Sequence, residues 1–220
     1  MNLFDIIDND RTDKNTTHSY LDIYQTLFNN KKNTAKNILE IGIYRGGSIK
    51  LWSEFFINAT IYGIDIIDID NMLEDIKNNV NITLWNYFYI NLIPCGIDMN
   101  NIHTIWDDIR NKENIILYKG SNAYDYNFFN EKFLNKNIKF DIMIDDGPHT
   151  LESMIQFIKL YSQIMTDDGI LIVEDVQSIE WIDELKNAVP ENLKSYIKWY
   201  DLRKNKNKSD DIVFTIDKSV

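Results

Sequence analysis

Ile142-Met143-Ile144-Asp145-Asp146-Gly147-Pro148-His149 is an apolar run of buried-strand type that stops abruptly at two acids. A second run, Ile170-Leu171-Ile172-Val173-Glu174-Asp175, ends in the same way. In an open α/β sheet, strands covered on both faces read as continuous apolar runs, and ligands are bound at their carboxyl ends. The two stretches therefore predict strands that deliver four carboxylates and a histidine to one edge. Neighbouring strands lie about 4.8 Å apart, so acids from both come within reach of one ion. Oxygen ligands of this kind suit Mg²⁺ or a similar divalent cation, and a histidine beside them can serve as a base.

Outward from these runs, strand-length apolar segments alternate with segments of helical period, the pattern of a parallel sheet flanked by helices. Strands are expected near 37–43, 60–66, 114–118, 139–145 and 169–175. Helices are expected at 18–29, 47–57, 125–134, 150–165 and 180–188. After Pro190, Tyr196 to Leu202 and Ile212 to Ile216 read as strands joined by the polar turn Lys204 to Asp210, so the sheet should end in an antiparallel hairpin and be mixed. Roughly 45 residues separate the second and third strands, far more than an ordinary crossover needs. This elaboration, at about 70–112, includes the aromatic stretch Trp85 to Pro94. Packing over the sheet edge is its simplest role, with an acceptor wall or a subunit interface as alternatives, which leaves a homo-oligomer open.

The 220 residues, 44% hydrophobic and 13% aromatic, suit a single domain with a sizeable core. A net charge of −11 gives no general attraction to phosphate backbones or anionic bilayers, which argues against nucleic acid and membrane surfaces as partners. No apolar stretch approaches the roughly 20 residues of a membrane span. The one cysteine, Cys95, cannot form an intramolecular disulfide, and Met1 to Thr17 lacks the apolar core of a secretory signal. A cytoplasmic setting is the expectation.

The first strand runs into Glu40-Ile41-Gly42-Ile43-Tyr44-Arg45-Gly46-Gly47-Ser48 and then a helix. Glycines there let a ligand approach the backbone, and a helix amino terminus favours negative charge. A dinucleotide fingerprint would place a second glycine where Tyr44 stands, which disfavours NAD. About twenty residues on, the second strand ends in Asp65, an acid able to accept hydrogen bonds from both hydroxyls of a ribose. An adenosine ligand without a diphosphate satisfies both observations.

Together these motifs resemble the class I S-adenosylmethionine-dependent methyltransferases, with their Rossmann-like, mostly parallel seven-stranded sheet and helices on both faces. With Asp145-Asp146-Gly147-Pro148-His149, Glu174-Asp175, Thr12 to Tyr20 and Asp201-Leu202-Arg203 included, the chain is similar more narrowly to the metal-dependent sugar O-methyltransferases of macrolide biosynthesis (mycinamicin and tylosin type) and to proteins labelled cephalosporin hydroxylase. The resemblance covers most of the chain outside about 70–112. It implies that Glu40, Gly42, Tyr44, Gly46 and Ser48 serve the methionine part of S-adenosylmethionine, Asp65 the ribose, Asn122 the adenine, and Asp145 the cofactor side of its strand. It implies Mg²⁺ ligands at Asp146, Glu174 and Asp175, a catalytic base at His149, and a sugar or sugar-nucleotide acceptor. Helix capping is the alternative for His149; His18, with Tyr20, either shapes the acceptor entrance or packs; His103 reads as structural. A non-sugar diol is the alternative acceptor, and a silent cofactor-binding subunit the alternative function. No two-histidine, one-carboxylate iron motif is evident.

Overall fold

The computed structural model describes residues 2–68 and 106–219. Seven strands form one sheet: β1 (Asn37–Ile41), β2 (Thr60–Ile64), β3 (Ile115–Tyr118), β4 (Phe140–Asp145), β5 (Met165–Val173), β6 (Ile197–Asp201) and β7 (Ile212–Asp217). Their order is β3-β2-β1-β4-β5-β7-β6. The first five in this order run parallel, and β7 is antiparallel to both β5 and β6. The mixed sheet and its terminal hairpin agree with the sequence reading.

The described helices, in chain order, are α1 (Leu3–Ile6), α2 (Leu21–Phe28), α3 (Gly47–Phe55), α4 (Asp107–Arg110), α5 (Tyr126–Phe129), α6 (Leu151–Tyr161), α7 (Trp181–Ala188) and α8 (Arg203–Lys206). Alternation along the strands divides the core into two layers. Ile142, Ile144, Ile170 and Ile172 pack on one side with Tyr24, Phe28, Trp52 and Phe55 of α2 and α3. Met143, Leu171 and Val173 face the other side, against Phe129 of α5, Met154, Phe157 and Tyr161 of α6, and Leu185 of α7. Helices thus cover both faces, which is why these strands read as unbroken apolar runs.

Differences from the expected elements have local causes. The segment after α5 widens into a π-helical turn over Asn130–Leu134. Helix α6 ends at Tyr161, followed by a 3₁₀ turn, and β5 begins already at Met165. Thr166 to Asp168 are polar and at least partly exposed, and the register shifts between Phe140 and Ile142, so the early part of β5 carries no apolar signal. The turn expected at Lys204 to Asp210 contains α8, closed by Asn207 in the left-handed conformation (φ 57°). His103, Cys95 and the aromatic stretch 85–94 lie outside the described residues. No helix among those described is long and apolar enough to cross a membrane.

Candidate functional site

The register of the central strands brings their carboxyl ends level: Ile41 faces Ile64 on one side and Asp145 on the other, and Asp145 faces Val173. Backbone bonds extend the ladder one step further, from Gly42 N to Ile64 O, Asp146 N to Ile41 O and Glu174 N to Asp145 O. Gly42, Asp146 and Glu174 therefore emerge side by side. Over this edge lies a cavity of about 780 Å³, to whose lining Arg11, Thr12 and Asp13 contribute.

One half of the cavity is built by the loop after β1. Gly42 has φ 92°, and a Cβ there would stand 2.0 Å from the carbonyl oxygen of Asp146, so both conformation and space demand glycine. The Asp65 carboxylate fixes the loop: its Oδ2 accepts from Ile43 N (2.8 Å) and Tyr44 N (3.2 Å), and its Oδ1 accepts from Ile67 N (2.8 Å). A carboxylate offers about four acceptor positions, so one remains for a ligand hydroxyl. Trp106 Nε1 holds the Tyr44 carbonyl at 2.9 Å, and Arg11 holds that of Arg45. Gly42, Tyr44, Ser48, Asp65 and Asn122 all border the cavity.

Glu40, Gly46 and Asp145 do not border it. Glu40 is fully buried, bonded to Trp52 Nε1 at 2.9 Å and to Ser48. Gly46 (φ 76°) precedes α3 and packs against Ile109 and Arg11. Asp145 accepts a hydrogen bond from Tyr124 beneath the turn at Gly147, where a Cβ would stand 2.1 Å from the Tyr124 hydroxyl oxygen. The three act behind the wall rather than on it.

In the other half, Asp146, His149 and Asp175 each offer a ligand atom, all within 4.8 Å of one another. His149 Nε2 lies 3.8 Å from Asp146 Oδ1, and His149 Nδ1 lies 3.6 Å from Asp175 Oδ2. Of the five non-glycine residues with positive φ among those described, Tyr44, His149 and Asp175 border this one cavity. Such backbone outliers gather at sites whose function requires a particular side-chain direction. Asp175 also accepts from the Tyr20 hydroxyl, and His18, stacked on Tyr20, places Nδ1 3.3 Å from the same carboxylate. Burial pushes Asp175 up to about 6, reinforced by the Asp146 charge and opposed by His18 and His149. Asp145 is pushed up to about 7, again chiefly by burial.

Glu174 lies behind this trio, 1% exposed. It accepts from the Tyr24 hydroxyl at one oxygen and from Lys14 Nζ at the other. Lys14 and Tyr24 are the principal site residues that the sequence reading did not single out. A lysine within the polar segment 12–20 looks like a solvated one, and a tyrosine at helical spacing among apolar residues looks like core. The signal available in principle was the excess of buried acids at one edge, which requires a counter-charge.

No family model matches the chain, and no curated protein does. Solved structures with the same fold are numerous. The MycE methyltransferase from the mycinamycin biosynthetic pathway, in complex with Mg, SAH and mycinamycin VI, superposes with a TM-score of 0.62 over 99% of this chain at 19% identity. A protein from Staphylococcus aureus provisionally described as a caffeoyl-CoA O-methyltransferase gives 0.51 over 91% of this chain and 83% of its own, at 15% identity. One from Clostridium thermocellum provisionally described as an rRNA-methylase gives 0.55 over 89% of this chain and 94% of its own, at 12% identity. The chain spans 37% of MycE in one complex and 54% in another. The fold is that of the class I methyltransferases.

Proposed function

We propose that this chain is a cytoplasmic, magnesium-assisted O-methyltransferase that uses S-adenosylmethionine to methylate a hydroxyl of a sugar, sugar nucleotide or glycoside. The observation that carries this reading is one cavity bordered on one side by Gly42, Tyr44, Ser48, Asp65 and Asn122 and on the other by Asp146, His149 and Asp175. MycE, crystallised with Mg and SAH, supports the same ligand pair.

In this reading the loop after β1 takes the methionine part of the cofactor, Asp65 accepts from one ribose hydroxyl, and Asn122 borders the adenine. The donor set fits a divalent cation: the carboxylates of Asp146 and Asp175 come together beside the His149 imidazole, with one atom of each within 4.8 Å of the others. Asp146 and Asp175, with Glu174 behind them, are the residues that would hold it. When bound, such a cation would lower the pKa of an acceptor hydroxyl and, with a vicinal diol, orient it as a chelate. His149 accepts the hydroxyl proton at a ring nitrogen, and the flanking carboxylates stabilise the imidazolium so formed. The acceptor oxygen bonds to the methyl carbon as the sulfonium bond to it breaks, leaving a methyl ether and a neutral thioether. The protein's main contribution is to hold the two reactants in line.

Calorimetric titration with S-adenosylhomocysteine, with and without Mg²⁺ and against NAD, tests this reading. Micromolar binding of the thioether and none of NAD supports it; absence of thioether binding in both conditions overturns it. A screen of nucleotide sugars and free diols for methyl transfer then separates the sugar acceptor from the non-sugar alternative.

A further inference from the structure

Asp201-Leu202-Arg203, singled out in the sequence, does not border the cavity; Asp201 ends β6, the strand at one edge of the sheet. Leu202 N donates to Asp211 O at 2.8 Å, and on the far side of β7 Lys218 N donates to Gly169 O at 3.0 Å, which fixes the phase of both antiparallel ladders. In such a ladder, residues that exchange bonds with the neighbour alternate with residues whose amide and carbonyl point the other way. The register of β6 on β7, from Ile197 opposite Ile216 to Asp201 opposite Ile212, therefore aims Lys198 and Tyr200 at β7 and Ile197, Trp199 and Asp201 outward. The Ile197 amide is taken by the Lys194 carbonyl. The Ile197 carbonyl, both backbone groups of Trp199 and the Asp201 amide meet no strand among the described residues. The strand has no proline or bulge, and Lys198 is drawn back onto Asp217 at 3.1 Å, so the usual devices that blunt an edge are missing or withdrawn. Trp199, at its centre, is 43% exposed and with Ile197 lines a groove shared with Lys186, Asn187 and Lys194.

We propose that the outer edge of β6 is where a second copy of this chain adds its own β6 antiparallel, Trp199 beside Trp199, so that the two seven-stranded sheets continue as one. The outward residues are symmetric about Trp199. A two-fold axis there lets each Trp199 amide donate to the Trp199 carbonyl of the other copy, and each Asp201 amide to the Ile197 carbonyl of the other copy. Residues paired across a ladder share a face, so Asp201 of the second copy comes to lie beside Ile197, on the groove side where Lys186 and Lys194 stand. On their own chain these lysines meet only the exposed acids Asp183 and Glu191, in surface pairs of little worth, and are free to turn to the incoming acid. Arg203 holds the Asp201 carboxylate at its end of the strand, at 2.7 and 2.8 Å. An edge with lysines at its start and an acid at its end complements itself when antiparallel, which singles out a second copy as the occupant. The net charge of −11 on each copy is screened beyond about 8 Å at physiological salt, so these local pairs decide. Five residues and one groove make a modest patch, and the association belongs in the micromolar range.

The test is sedimentation velocity on the full chain from about 5 to about 500 µM, with amide hydrogen exchange read at both ends of that range. The unaltered chain is expected to pass from monomer to dimer, and the segment 197–201 to exchange about tenfold more slowly when concentrated. Trp199→Glu sets two carboxylates face to face on the axis, and Lys194→Glu sets an acid against Asp201 of the second copy. Each should weaken association by about tenfold or more while the melting temperature of the dilute chain holds. In a Cys95→Ser background, Trp199→Cys should oxidise to a disulfide-linked dimer, since residue 199 faces itself across the axis, and Phe4→Cys, equally exposed, should not. A monomer throughout the range overturns the proposal. So does a dimer that neither variant weakens and whose 197–201 amides stay unprotected, because another surface would then join the copies. If the variants do not fold, the exchange of the unaltered chain decides.

Discussion

Asp146 turns its backbone carbonyl onto the α-carbon of Gly42, so closely that a Cβ at 42 would stand 2.0 Å from the oxygen. The Asp146 amide in turn donates to the Ile41 carbonyl at 2.9 Å. The two halves of the cavity are thus joined through backbone, and neither can shift without the other.

Gly42→Ala is expected to destabilise the chain by about 2–4 kcal/mol, since the alanine meets both a positive φ and a carbonyl it cannot displace. Urea denaturation measures the loss, and titration of the remaining folded fraction with S-adenosylhomocysteine should show weakened binding. Wild-type stability in this variant would contradict the close approach.

Asp146→Ala should abolish cation-dependent methyl transfer while S-adenosylhomocysteine binds with nearly unchanged affinity. Binding calorimetry and a turnover assay, run on one preparation, separate the two effects. Intact turnover would remove Asp146 from the chemistry.

For His149→Gln, turnover should fall by about 10²- to 10⁴-fold, the usual worth of a positioned general base, with cofactor affinity retained. Partial recovery at alkaline pH, where hydroxide replaces the missing base, would distinguish this role from helix capping. A capping residue would instead show its loss in the melting temperature.

Tyr124→Phe removes the hydroxyl that donates to Asp145. The buried acid then keeps the Gly147 amide as a donor, and the loss of the hydroxyl costs about 1–3 kcal/mol, readable as a lower urea midpoint. An unchanged midpoint would mean that Asp145 finds another donor.

Stability should also depend on pH in a definite direction. Burial raises Asp175 to about 6 and Asp145 to about 7. The folded chain therefore holds these protons more tightly than the unfolded chain, where an Asp titrates at about 3.9. Their contribution is complete below the unfolded value and is lost as pH rises through 6 and then 7. In EDTA the melting temperature should fall between about pH 4 and pH 7 and level off above, each group supplying at most about 1.4 kcal/mol per unit. Asp145→Asn should flatten the upper part of that fall.

Much of this architecture was written in short-range pattern. Ile142 to Ile144 and Ile170 to Val173 face helices on both sides, so their apolarity is continuous and their ends are sharp. Asp146, His149 and Asp175 were visible because each follows such a strand end directly. Lys14 and Tyr24 were harder to read because their partners lie far away in sequence and nothing local distinguishes a buried lysine from a solvated one. The roles of Glu40 and Asp145 behind the wall were hidden for a related reason: a strand-end acid has the same sequence context whether it points into a cavity or beneath it.

The reach of the amino-terminal segment carries a consequence for the order of events during synthesis. Lys14 bonds Glu174, 160 residues away, and the Ser19 hydroxyl bonds Asp211, 192 residues away. A chain emerging from the ribosome can form the β1–β2 pair early and let Lys14 meet Glu40, but Lys14 lacks Glu174, and His18 and Tyr20 lack Asp175, until β5 has been made. Such distant contacts are closed late and slowly. The cavity is therefore finished late, and a nascent chain halted before Glu174 should hold residues 14–20 less firmly and more open to protease than the complete fold does.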